Sequence, residues 1–341
     1  MTTSPAGASG TRFSAETLKL DAGAEIERIC GWIRETVLKD LRRRGAVLGL
    51  SGGIDSSVTA ALCALALGPA KVTGIFMPEH DSDPESLELG RALADAVGIE
   101  TVLEDIGPAL AAAGCYARRD GFIRQVVPEF GEGWGCKVVL EDALTGRGYN
   151  ISWLVVANPQ GEQTRHRMPL DVYLGMIAAA NMKQRTRKQI EYYHADRLNF
   201  AVAGTPNRLE YDQGFFVKNG DGAADFKPIA HLYKSQVYQL AEALGVPDAI
   251  QRRPPTTDTW SLPQGQDEYY FSLPYDRMDL CLYGLENGIA REAVAEAVDL
   301  TPDQVDAVWR NIAAKRKVAD YLHAAPVTML SLRDLSRTDR P

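Results

Sequence analysis

No uninterrupted apolar run in this chain of 341 residues approaches the roughly 20 needed to cross a bilayer, so no membrane-spanning helix is expected. Met1 to Gly10 is small and polar and lacks a basic-then-apolar export signal, so export is not expected, and the scattered cysteines fit a reducing cytoplasm. Positive charge is not in excess: the net charge is −8, which argues against a general nucleic-acid binder relying on Lys and Arg to neutralise phosphates. Local basic clusters remain open. Cysteine is scarce and odd in number (Cys30, Cys63, Cys115, Cys136, Cys281), without C-x-x-C or His-rich spacing, so neither a disulfide framework nor a zinc site is indicated. The cysteines read as core or surface residues rather than nucleophiles, and His166, His194 and His231 form no ligand spacing. Internal repeats and low-complexity tracts are absent as well. What is abundant is ordinary: 45% hydrophobic and 24% charged residues suit a globular protein with one large core or two modest ones.

Apolar residues first recur at helical spacing at Ile26, Ile29, Ile33, Val37 and Leu41, ahead of Gly45. A short apolar run, Ala46 to Leu50, then meets Ser51-Gly52-Gly53 and a helical stretch through Leu67. Lys71 to Met77 reads as a second buried strand, Ser86 to Val97 as a helix closed by Gly98, and Glu100 to Leu103 as a third strand. Such alternation predicts a doubly wound parallel sheet with helices on both faces, because right-handed crossovers must lie against it. The pattern resumes with a helix over Val172 to Arg197, a strand over Phe200 to Ala203 and a helix over Tyr233 to Leu244. Between the halves, about 107–170, lies an inserted subdomain with a hairpin, Ile151 to Ala157 and Gln163 to Met168, around Asn158-Pro159-Gln160-Gly161. A helical C-terminal extension begins near Tyr275. The expected organisation is a disordered start over 1–14, a domain over 15–325 and a tail over 326–341.

The segment Leu48 to Ser57 (Leu-Gly-Leu-Ser-Gly-Gly-Ile-Asp-Ser-Ser) sits where a buried strand turns into a helix, the place at which open parallel sheets bind ligands. Glycines admit a polyphosphate to the backbone, N–H groups at the helix start attract it, and the Ser hydroxyls add donors. Asp55 beside phosphate oxygens would repel them unless a Mg²⁺ ion lay between. The segment lacks the Lys-Ser or Lys-Thr ending of a Walker loop and the spacing of a dinucleotide fingerprint. Ser-Gly-Gly-x-Asp-Ser resembles the pyrophosphate loop of ATP pyrophosphatases, which cut ATP between its α and β phosphates.

Three further runs narrow the resemblance. Asn181 to Arg187, Gly204 to Glu210 (Gly-Thr-Pro-Asn-Arg-Leu-Glu) and Gly214 to Asp225 (Gly-Phe-Phe-Val-Lys-Asn-Gly-Asp-Gly-Ala-Ala-Asp) stand in the order and spacing of ammonia-dependent NAD synthetases. Pro228-Ile229, Leu232-Tyr233-Lys234 and Pro254 to Asp258 agree too, so the likeness covers about 25–106 and 175–260. It implies an adenine nucleotide alpha hydrolase-like fold. It further implies that Ser51, Gly52, Gly53, Asp55, Ser56, Ser57, Thr205 and Lys234 bind ATP, and that Asp55 and Glu210 bind Mg²⁺. Arg185, Phe215, Lys218, Asp221 and Thr256 would stand at the acyl substrate, deamido-NAD in that family, with Asp55, Lys218, Asp221 and Lys234 in catalytic roles. Taken alone, Arg185 and Arg187 would read as a solvated helix face, and Lys218 and Asp221 as a polar turn.

The implied chemistry suits these residue types. A carboxylate is a poor electrophile; exchanging one oxygen for AMP creates a leaving group that ammonia displaces to give the amide, with AMP and pyrophosphate released. Two departures put the acyl substrate in question. One is the insertion, carrying Arg118, Arg119, Arg124, Trp134, Trp153, Arg165 and Arg167 as ligand contacts or, equally, as a solvated decoration or dimer surface. The other is Trp260 to Leu273, where the family more often has an acidic, proline-containing loop. No nitrilase-like segment precedes the phosphate loop, and Met1-Thr2 is not an N-terminal Cys, so ammonia is expected free or from a separate glutaminase. The resemblance also implies a homodimer. Alternatives are a related ligase amidating another carboxylate, such as a sugar or secondary-metabolite acid, and a non-catalytic nucleotide sensor.

Overall fold

The computed structural model describes residues 13–140, 152–256, 259–271 and 273–329. Most of the expected disordered start, the tail from 330, residues 141–151 of the insertion, and Thr257 and Asp258 of the last matched run lie outside these. Phe13 is already packed, stacked on Tyr283 with ring centroids 6.0 Å apart, slightly before the domain boundary expected at 15.

Four short parallel strands form the central sheet: β1 (Ala46–Gly49), β2 (Val72–Phe76), β3 (Glu100–Leu103) and β7 (Ala201–Val202), in the order β3-β2-β1-β7. Ala46 is registered with Val72 on one side and Ala201 on the other, so β1 lies at the point where the winding reverses. The alternation of strand side chains divides the core. Ala46 and Leu48 pack with α1 (Ala22–Glu35), α2 (Ile54–Leu67) and α8 (Lys234–Ala243) on one face. Val47, Ile75 and Val202 pack on the other with Leu110 of α4 (Gly107–Ala112), Cys115 of α5 (Cys115–Ile123) and Ala195 of α6 (Leu170–Leu198). Helix α1 forms where the sequence expects it: Asp21 caps it by accepting from the Ala24 N–H, and Ile26, Ile29 and Ile33 share its buried face. Helix α3 (Pro84–Val97) ends at Gly98 in the left-handed region, φ 71°. The last cluster joins α10 (Tyr275–Glu286), α11 (Arg291–Val298) and α12 (Pro302–His323), with Leu209 of α7 (Arg208–Gln213).

The inserted segment builds its own antiparallel sheet of β4 (Gly135–Leu140), β5 (Ser152–Ala157) and β6 (Gln163–Arg167), in which Val138 faces Leu154 and Trp153 faces Arg167. The β5–β6 hairpin falls where its turn residues predict. Cys136, Val138, Leu154 and Val156 bury one face against Val172 and Met176 of α6 and against Trp260. An edge strand such as β4 presents unpaired backbone groups. Here the 260–264 segment covers it: the Cys136 N–H donates to Ser261 Oγ (2.9 Å), the Leu262 N–H to the Cys136 carbonyl (3.2 Å), and Gln264 Nε2 to the Val138 carbonyl (2.6 Å). The two stretches that depart from the family pattern therefore pack on each other. Replacing Gln264 by Ala removes one buried donor and strands the Val138 carbonyl, a cost of about 1–3 kcal/mol. A urea melt of Gln264→Ala is expected to show that loss, and a midpoint equal to wild type would remove this bond from the account of how the inserted sheet is held.

Candidate functional site

A cleft of about 1360 Å³ opens at the carboxyl ends of β1 and β2, larger than the roughly 300–1,000 Å³ that suits one small ligand. Its floor is formed by Ser51, Gly53, Ile54, Asp55 and Ser56 of the turn into α2; Gly52 and Ser57, expected at the ATP with them, lie behind that surface and do not line the cleft, Ser57 being fully buried. Gly52 has φ 71°, and a Cβ there would stand 2.5 Å from the Ser86 carbonyl oxygen, so only glycine fits. Ser51 Oγ accepts from the Gly53 N–H (3.3 Å) and lies 3.1 Å from Ser56 Oγ, while Ser56 and Ser57 hydroxyls both donate back to the Gly53 carbonyl (3.0 and 2.8 Å). No side chain caps α2, so its first-turn N–H groups and its dipole's positive end face the cleft.

Three charged side chains converge beside that turn from three helix starts. Asp55, in the first turn of α2, pairs through Oδ2 with Lys234 Nζ and accepts from Asn207 Nδ2 at 3.1 Å through Oδ1. Lys234 opens α8 and is only 1% exposed. Its start is capped by Asp279, which accepts from the N–H groups of Lys234 (3.2 Å) and Ser235 (2.7 Å); burial pushes that carboxyl up to about 6. Glu210 is fixed by a capping box: Asn207 Oδ1 accepts from the Glu210 N–H, and Glu210 Oε2 from the Asn207 N–H, both at 3.2 Å. Burial, reinforced by the charge of Asp55, pushes Glu210 up to about 8. Burial opposes the charge of Lys234, but Asp55 and Glu210 outweigh it and hold the ammonium above its ordinary range. Asp55 thus pairs directly with the cation, and Glu210 lies close enough for each carboxyl to feel the charge of the other and of Lys234.

The opposite wall is aromatic. Phe215 stacks on Tyr270 (4.7 Å, 27°) and meets Phe271 edge-on at 5.4 Å, and Tyr269 stands beside them. Thr205, Thr256 and Asp221 also line the cleft. Asp221 accepts from the Val217 N–H at 2.7 Å, and its burial raises the pKa of the carboxyl.

Arg185 and Lys218, expected at the acyl substrate, do not line the cleft. Arg185 Nε donates to the Lys218 carbonyl at 3.2 Å, and Lys218 Nζ donates to the Tyr321 and Ala324 carbonyls (2.7 and 3.1 Å) at the end of α12. Helix α6 turns Asn181, Gln184, Arg187, Lys188 and Glu191 to the cleft; Arg185 stands four residues after Asn181 and three before Lys188, beside that face, and its guanidinium is drawn off by the Lys218 carbonyl. Of the insertion's candidate contacts only Arg167 reaches the cleft wall. Arg119 is buried on Asp81 (2.5 Å), Arg124 holds the Phe130 carbonyl, Trp134 packs on Phe130, Arg165 lies over the Trp153 ring at 4.4 Å, and Arg118 is exposed.

Other cleft residues carry no signal in the sequence: the buried Lys188–Glu191 pair (2.6 Å), Glu79 paired with Lys183 (2.9 Å), and Lys315. Arg253, bonded to Ser86 Oγ (3.1 Å) and Asp83 (2.8 Å) behind the phosphate turn, adjoins the matched Pro254-Pro255 run and was open to inference from it. His194 pairs with Glu104, His231 with Glu25, His166 lies 2.8 Å from Thr164 Oγ1, and all five cysteines are buried and free.

Comparison with known proteins agrees with this geometry. Over 315 residues the chain is 65% identical to a protein of Rhizobium rhizogenes named NH3-dependent NAD+ synthetase, covering 92% of this chain and 95% of that one. A protein of the same name from Rhizobium meliloti is 66% identical over 314 residues, 92% and 94% of the two chains. Among solved structures, an NMN synthetase from Francisella tularensis superposes with a TM-score of 0.63 at 21% identity over 91% of this chain and 99% of that one, a likeness of fold. The model of the NAD synthase family matches residues 25–124 and 155–319, leaving 125–154, a shorter stretch than the expected insertion, between its two parts. Phosphate turn, converging carboxylates and these likenesses together place the chain in the NAD synthase family.

Proposed function

We propose that this protein converts deamido-NAD to NAD, using ATP to form an acyl-adenylate and ammonia to displace AMP. The observation that carries this reading is the convergence of Asp55, Glu210 and Lys234 on an uncapped helix start, within a cleft roomy enough for two substrates. Adenylation concentrates negative charge on the α-phosphate and the departing pyrophosphate. Lys234 and the N–H groups of α2 are fixed in advance where that charge appears, so stabilising it demands little reorganisation. The Ser51 and Ser56 hydroxyls orient the phosphates, and the Phe215–Tyr270 wall gives a flat acceptor ring a surface to lie on.

Mg²⁺ fits the donor set. Among the described residues no group of three or more His, Cys, Asp or Glu could hold a metal by itself, and Mg²⁺ characteristically takes one or two carboxylates with substrate phosphates completing its shell. Asp55 and Glu210 would hold it, and a positive charge there would offset the burial and the Asp55 charge that raise the pKa of Glu210. Bound there, the ion would neutralise charge on the phosphate oxygens. Ammonia arrives free or from a separate glutaminase. Leu170 and Leu174, one turn apart and 71% and 55% exposed at the start of α6, support the homodimer implied by resemblance. No helix of the described residues is long and apolar enough to cross a membrane.

A second reading, amidation of another carboxylate, draws on Val138, Ser152 and Arg167, which bring the inserted sheet into the cleft wall. The test is pyrophosphate release with Mg-ATP and ammonium, comparing deamido-NAD, no acceptor and a panel of other acids. Release with deamido-NAD, matched by NAD, is expected; activity confined to another acid would keep the adenylation and move the substrate. Asp55→Asn and Glu210→Gln, close in shape to the native residues, are each expected to lower kcat/KM for ATP about 10²–10³-fold with unchanged circular dichroism. Normal turnover would take that residue out of the metal site. Gly52→Ala should raise the KM for ATP at least ~10-fold, since the turn must open to separate the new methyl from the Ser86 carbonyl; an unaltered KM would mean that phosphates do not rest on this turn.

A further inference from the structure

The end of the sheet opposite the cleft carries a second hollow, of about 460 Å³, lined by Leu38, Arg43, Arg44, Ala70, Lys71 and Phe200. Arg43 and Arg44 stand just before β1, Lys71 just before β2 and Phe200 just before β7, while Leu38 belongs to the wide helical turn Thr36–Asp40 that continues α1. In a chain of net charge −8 this spot has the opposite sign. Arg42, Arg43, Arg44 and Lys71 are all exposed, and no carboxylate among the described residues lies within ion-pair distance of them. Asp40 is the one acid in the Lys39–Arg44 run, and Lys39 is taken by Glu35 (3.5 Å).

The cations are held in place rather than spread over a solvated face. Arg42 takes the left-handed conformation, φ 53°, just past the end of the helical turn, a position where glycine is unstrained and a long side chain is not. Arg43 Nη1 donates to Asn199 Oδ1 (2.7 Å), its N–H donates to the Val37 carbonyl (2.8 Å), and the Arg44 N–H donates to the Asn199 carbonyl (2.9 Å). Asn199 is itself left-handed, φ 56°. A Cβ on Gly45 would stand 2.3 Å from the Lys71 carbonyl oxygen and 2.7 Å from the Phe200 ring, so the chain segments that enter β1, β2 and β7 are locked edge to edge. Leu38, 41% exposed, and the half-buried Phe200 ring add an apolar surface beside the charges. Two guanidinium forks and an ammonium suit the oxygens of a polyphosphate, and the apolar surface suits a flat ring.

We propose that this hollow is a second nucleotide site, in which Arg43, Arg44 and Lys71 hold the phosphates and Leu38 and Phe200 carry the base. Its volume suits one small ligand. A long polyanion is the poorer fit, because the basic residues form one cluster on an otherwise acidic chain and not a track. The four residues of β1 separate the hollow from the phosphate turn by about 13 Å at ~3.3 Å per residue, so its occupant is not the ATP that reacts in the cleft.

The test is equilibrium dialysis of the full chain against radiolabelled ADP, with wild type beside the double variant Arg44→Ser, Lys71→Ser. Wild type is expected to bind one more ADP per chain than the variant, whose affinity at this site should fall at least ~10-fold as two charge-assisted contacts are lost. Both changes are at exposed positions, so circular dichroism and turnover of Mg-ATP should stay within about twofold of wild type. The charge-preserving Arg44→Lys, Lys71→Arg should bind ADP here within about tenfold of wild type. Leu38→Glu, which sets a like charge beside the phosphates, should also loosen ADP and serves if the Ser variant does not fold. Inorganic pyrophosphate has the anion without the ring and is expected to displace this ADP at least ~10-fold less well than unlabelled ADP does. The same ADP stoichiometry in wild type and in both weakened variants, or pyrophosphate competing as well as ADP, would overturn the proposal. One ADP per chain in wild type and none in the Ser variant would keep this site and count instead against nucleotide binding in the cleft.

Discussion

The ammonium of Lys234 is buried and has to be paid for by carboxylates, and much of the architecture around the cleft follows from that requirement. Asp55 supplies the direct partner, Glu210 adds a second charge, and Asn207 bonds to both Asp55 and the Glu210 backbone, so that the beginnings of α2, α7 and α8 are tied to one point. A lysine at a helix start opposes the helix dipole, which explains why Asp279 must sit beneath α8 and accept its first two N–H groups. The outcome is a place where helix dipoles and a cation point outward while two carboxylates lie ready to share a further positive charge. Such a site suits a polyphosphate bound with its metal better than it suits either alone.

A second buried network joins the family-like framework to its additions. Lys183 of α6 contacts Glu79 (2.9 Å), Asp81 (2.6 Å) and the Thr259 carbonyl (2.8 Å), and Arg119 of α5 completes the charge balance on Asp81. Two acids from the segment after β2 therefore face two bases from different helices, and the 259–264 segment is bonded at one end to this network and at the other to the edge of β4. Removing any one member would strand a buried charge, which makes the inserted sheet an integral wall of the cleft rather than an appendage.

What could be read from the sequence was what is decided locally. The phosphate turn, the strand-helix alternation and the β5–β6 hairpin each depend on residues within a few positions of one another, and each appears where the chain implies it. The face of α6 could not be read in the same way. This helix is buried along different sides by α5, the sheet and the cleft, so its polar and apolar residues do not separate into one stripe, and nothing in the pattern says that Gln184, Lys188 and Glu191 look inward while Arg185 looks away. Lys218 illustrates a different limit: its position is set by carbonyls more than a hundred residues away at the end of α12. Lys315 belongs with it, because a lysine among Ala313, Ala314, Arg316 and Lys317 looks like a solvated helix face until the π-turn Asp267–Phe271 is folded over it.

These limits divide the cleft in two. On the proposed function, the groups on the ATP side come from β1, β2 and the helices that start beside the sheet, where short-range signals are strong. The acceptor side is put together from the Phe215 loop, the π-turn, α12 and the inserted sheet, none adjacent to another in the chain. Substitution on that side can change what is held there without removing a polar partner of Asp55, Glu210 or Lys234, since among the described residues no hydrogen bond or ion pair links Lys315 or Arg167 to those three. On the proposed function, carboxylate activation is thus a property of the sheet and its helix starts, and the choice of carboxylate a property of what the C-terminal helices and the insertion fold over it.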